Sequence, residues 1–127
     1  MREVLLVALG GAVGSAARYG VTVVAQGRFG PEFPYGTLIV NVVGSLLLGV
    51  IMTLADRPDL MSPTLRLALG TGVMGGFTTY SAFNYETYKL AANDAPYAAI
   101  INVLVTLILC TLAGLVGVFG VRAAFSR

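Results

Sequence analysis

"TGVMGGFTTYSAFNYE", residues Thr71 to Glu86, interrupts an otherwise greasy chain, and its reading decides the fold. Gly72, Gly75 and Gly76 each weaken a helix by ~1 kcal/mol relative to alanine. Thr78, Thr79 and Ser81 carry hydroxyls that bond nearby backbone groups and support a local break. A soluble helix disfavours the glycines, and a lipid-facing helix disfavours the hydroxyls. The stretch therefore reads as a membrane helix broken where protein shields it from lipid. Such a break frees backbone groups to ligate ions, and its carbonyl oxygens favour a cation such as Na⁺. Tyr80 and Phe83 follow three residues apart on one helical face. Aromatic rings have electropositive edges, which attract an anion when turned inward.

The rest of the chain supplies the membrane setting. Its 127 residues suit one domain, 1–127, and 57% of them are hydrophobic while 11% are charged. Mean hydropathy is +0.84, whereas soluble proteins carry ~25% charged residues. The net charge of +2 is small and scattered, which argues against a nucleic-acid partner. Histidine is absent and Cys110 is the single cysteine. That removes the usual zinc sites, an intrachain disulfide and a Cys/His catalytic pair, so an enzyme is the weakest reading.

Four segments are long enough to span a bilayer, which takes ~20 apolar residues. They cover about 4–25, 36–55, 65–90 and 95–121, separated by "QGRFGPEFPYG", "DRPDLMSP" and "AANDAP". Each loop combines proline with charge or glycine, which stops a helix and turns the chain in water. The first span has some features of a signal peptide, but its removal leaves three spans. Strand alternation is missing, which argues against a β-barrel. Four crossings put both termini on one side, with Arg2, Arg57, Arg66, Arg122 and Arg127 there. Arg28 and Lys89 lie opposite, with Arg18 if it reaches that interface. This positive-inside bias leans toward cytoplasmic termini, yet it is modest enough to permit insertion in both orientations.

Polar residues inside the spans are the informative ones, because lipid offers them no partner. Gly10, Gly14 and Arg18 fall at steps of four, the glycines allowing close backbone approach. Arg18 either snorkels to the interface or pairs structurally. Thr37, Asn41 and Ser45 form a second stripe, and Asn102, Thr106 and Cys110 a third. Both stripes read equally as interhelical hydrogen bonding or as donors along a polar pathway.

Together, "GGAVGSAARYG", "GTLIVNVVGS" and "GTGVMGGFTTYSAFNYE" resemble the Fluc (CrcB) fluoride channels of microorganisms, across all four spans and in order. The resemblance implies an all-α integral membrane protein, with four transmembrane helices per subunit and a broken third helix. It implies an antiparallel, dual-topology homodimer in the plasma (inner) membrane, with two fluoride pathways. It also implies a structural Na⁺ at the dimer centre, held by backbone carbonyls of Gly75 and Thr78. The residues facing fluoride match Asn41, Tyr80, Phe83, Asn102, Thr106 and Cys110, while Arg18 and Glu86 match structural or gating positions. Three departures stand out: Tyr80 and Ala82 occupy places where phenylalanine and threonine are frequent, and Cys110 is a weaker donor than a hydroxyl.

Fluoride holds its water tightly, so a selective path must replace that water with fixed dipoles in a narrow space. Asn41, Thr106 and the ring of Phe83 are such groups, without the full positive charge that would trap the ion. A nearby Na⁺ offsets the cost of an anion in low dielectric. No residue suggests coupled proton transport, so passive conduction is favoured, and the resemblance implies that fluoride leaves the cell. The rival reading is a small dual-topology transporter for drugs or cations, for which Glu86 is the one candidate carboxylate. A third is an accessory subunit whose polar stripes are glue.

Overall fold

A computed structural model describes residues 1–125, so Arg127 of the charge balance lies outside the described residues. All regular secondary structure among the described residues is helical. Helix α1 covers Arg2–Phe29 and α2 covers Tyr35–Ala55. The third crossing begins with the short α3, Pro63–Arg66. It continues through a π-helical segment, Leu67–Met74, into the single turn α4, Gly75–Phe77. After two extended residues come α5, Tyr80–Ala92, and α6, Pro96–Ala124. Helices α1, α2 and α6 are each long and apolar enough to cross a membrane. The third crossing is divided, and neither half spans alone. Helical segments lie over all four stretches expected to span, with the third one bent.

Local chemistry fixes the ends. Gly30 closes α1 with φ +80°, a conformation that favours glycine, and its N–H donates to the Gln26 carbonyl. Phe29, Phe33 and Tyr35 cluster at that turn with ring centroids 5.0–5.2 Å apart. Ser62 caps α3 by accepting from the Leu65 N–H at 3.2 Å, and Pro63 takes the first helical position, where no donor is needed. At the same end of the bundle, the Arg57 guanidinium lies over the Phe125 ring, 5.0 Å from its centroid. The loop after α2 and the end of α6 therefore share one side, as four crossings require.

Packing is set by glycine rather than by large side chains. In lipid, helices associate through close contact and internal hydrogen bonds, because burying apolar surface gains little there. A Cβ added at Gly10 would lie 2.7 Å from the Ala68 carbonyl oxygen. One added at Gly14 would run into the Val73 carbonyl, and one at Gly117 into that of Leu46. Glycine thus seals α1 to the π-helical segment and α2 to α6. The two halves of the third crossing have different neighbours: the first lies on α1, and α5 leans on α6. The break is where the chain changes partner.

Candidate functional site

The break consists of Thr78 and Thr79, both extended. The hydroxyl and the N–H of Thr78 both donate to the Met74 carbonyl at 3.0 Å, closing the first half-helix. Thr79 opens α5 as its N-cap, its hydroxyl accepting from the Ala82 N–H at 3.2 Å. Asn41 on α2 grips the same residue twice. Its Nδ2 donates to the Thr79 carbonyl at 3.0 Å, and its Oδ1 accepts from the Thr79 N–H at 2.8 Å. The amide thereby satisfies backbone groups that the break removes from any helix.

Arg18 serves the other side of the break. Its Nε donates to the Gly76 carbonyl at 3.0 Å, and Ser15 approaches the same oxygen at 3.5 Å. Arg18 is thus structurally paired, with a carbonyl rather than a carboxylate. Gly75 opens α4 and Thr78 is its C-cap, which places both at the end of the first half-helix. Gly75 is exposed, with open space where a side chain would begin. Backbone carbonyl oxygens at a helix end are the ligand class that suits a monovalent cation.

Against the break lies a cleft of about 290 Å³ between α2, α5 and α6. Asn41 and Ser45 line it from α2, Tyr80 and Phe83 from α5, and Thr106 and Cys110 from α6. Five of the six residues expected to face an anion therefore share one cavity. The rings of Tyr80 and Phe83 are tilted by 51° with centroids 5.7 Å apart. Phe83 is 7% exposed, whereas Tyr80 is 75% exposed in the single chain. Thr106 is 6% exposed, and its buried hydroxyl has no hydrogen-bond partner among the described residues.

A second cavity, about 430 Å³, opens at the end of the bundle where α1 turns into α2. Thr37 and Glu86 line it, together with Lys89. Thr37 stands one turn from Asn41, and Glu86 one turn from Phe83, so the two cavities adjoin along both helices. Oε2 of Glu86 is buried with no hydrogen-bond partner among the described residues.

Asn102 departs from the expected stripe. It is 1% exposed, sits outside the cleft, and donates through Nδ2 to the Thr87 hydroxyl at 2.8 Å. Thr87 in turn donates to the Phe83 carbonyl at 2.7 Å. The sequence reading passed over Thr87, although it follows Thr79 and Phe83 at steps of four. That spacing was the available signal.

The family model described as CrcB-like protein, Camphor Resistance (CrcB), matches residues 5–118. A protein of Sorangium cellulosum named fluoride-specific ion channel FluC is 55% identical over 116 residues, covering 91% of each chain. Another of that name, from Anaeromyxobacter sp. strain K, is 50% identical over 96% of this chain and 97% of its own. A third, from Geobacter sulfurreducens, is 44% identical over 96% and 98%. These relatives are named as channels rather than enzymes.

Proposed function

This chain belongs to the CrcB family, and we propose that it is a fluoride-selective channel, passively exporting F⁻ and so lowering cytoplasmic fluoride. It is a multi-pass membrane protein and not an enzyme. The observation that carries the fluoride reading is the cleft itself. It is lined by an amide, aromatic rings and the Thr106 hydroxyl, which has no partner among the described residues, and by no lysine or arginine. An anion entering from the Thr37–Glu86 vestibule would exchange water for these dipoles one turn further on. Neutral donors let it leave again.

The proposal extends to assembly. One chain gives the cleft an open side, on which Tyr80 is exposed. A second copy, inserted antiparallel, would close it and create two equivalent pathways in a bacterial inner membrane. Breaks from the two chains would then bring the carbonyls of Gly75 and Thr78 together, oxygens that would hold one structural Na⁺. That ion would supply fixed positive charge near both paths without standing in either.

Purified protein in liposomes tests the function directly. Fluoride should leave the vesicles while chloride stays; chloride flux of similar size would overturn the proposal.

A further inference from the structure

We infer that Thr87 is a positioning residue for conduction: its hydroxyl clasps α5 to α6 and thereby fixes Phe83 in the cleft. The inference rests on the channel reading above.

Thr79, Phe83 and Thr87 succeed one another at steps of four, along one face of α5 and its cap. Two asparagines grip the outer members. Asn41 of α2 holds Thr79, and Asn102 of α6 holds Thr87. Phe83 lies midway, one turn from each clamp. Among the described residues, the Asn102–Thr87 bond is the one hydrogen bond that joins the α5 helix to α6.

The chemistry of the clasp is directional. Thr87 has one hydroxyl proton, and the Phe83 carbonyl takes it at 2.7 Å. Toward Asn102 its oxygen can then only accept, so the nearly inaccessible amide must present Nδ2. Valine has the shape of threonine but neither the donor nor the acceptor. Serine keeps both and loses a methyl group. Hydrogen bonding and packing therefore predict opposite rankings.

The experiment measures fluoride efflux and chloride exclusion for wild type, Thr87→Ser and Thr87→Val in liposomes, on dimer fractions of matched amount. Wild-type efflux establishes the channel; its absence would reject that reading separately. With wild type conducting, Thr87→Ser should stay near it, and Thr87→Val should lose about tenfold, the scale of one buried hydrogen bond. Equal flux in both variants, or better flux with valine, would overturn the clasp. Should Thr87→Val fail to assemble, Thr87→Ala against Thr87→Ser poses the same question: serine must conduct and alanine must be deficient, and any other order rejects the inference.

Discussion

Asn41 and Thr79 are joined at two points, the side-chain amide meeting both the N–H and the carbonyl of one backbone residue at 2.8 and 3.0 Å. An interrupted membrane helix must have its freed groups satisfied by neighbouring protein. Here a single side chain does so from the helix across the cleft, and it also lines that cleft. Asn41 thus bonds one helix to the break and borders the cleft as well.

Replacing Asn41 should therefore have two effects. Asn41→Ala is expected to destabilise the protein by about 1–3 kcal/mol, because part-buried backbone groups lose their partner. Fluoride efflux should fall at least about tenfold, by the same energy scale. Thermal unfolding in detergent and liposome efflux would check the two effects separately. Full flux in an assembled variant would remove Asn41 from the pathway.

The aromatic pair is expected to respond unequally. Phe83→Leu keeps apolar bulk but lacks the ring edge, so flux should drop severely while the dimer persists. Tyr80→Phe removes a hydroxyl that makes no hydrogen bond among the described residues. Its flux should stay within about twofold of wild type, since no bonded group is lost. A large change there would give the hydroxyl a role in handling the ion.

Arg18→Ala should lower stability by about 1–2 kcal/mol, the range for a charge-assisted hydrogen bond that is partly screened. Arg18→Lys should recover little of it, because a compact ammonium does not reproduce the Nε geometry at the Gly76 carbonyl. Unfolding midpoints of the three proteins provide the check.

Sodium dependence is the fourth expectation. If Gly75 and Thr78 carbonyls hold Na⁺ in the assembled protein, unfolding midpoints should rise with Na⁺ concentration, as for any ligand of the folded state. Substitution of all Na⁺ by a large organic cation should lower both stability and fluoride flux. Indifference of both to the substitution would rule out a structural sodium.

Much of this arrangement was legible in the sequence. Glycines at Gly75 and Gly76 beside Thr78 and Thr79 located the break, and the stripe of Thr37, Asn41 and Ser45 lies on the faces lining the two cavities. Periodicity finds which residues share a helix face. It does not find which hydrogen bonds close between helices, because these depend on the relative height of two segments. For that reason the stripe of Asn102 read equally as a polar track or as interhelical bonding, and the amide of Asn102 makes the second, to Thr87. The two-point grip on Thr79 was hidden for the same reason, since half of it is backbone.

The π-helical segment Leu67–Met74 sets the phase of everything after it. Each residue of an ordinary α-helix turns the chain by about 100°, and a wider turn accommodates extra residues without advancing the rotation equally. Deleting one residue within 67–74 would leave hydropathy, composition and the break motif nearly unchanged. It would nonetheless rotate the Gly76 carbonyl relative to Arg18 and carry Thr79 out of line with Asn41. In this molecule the angular timing of the first half-helix, as much as the motif it delivers, determines where an ion can be met.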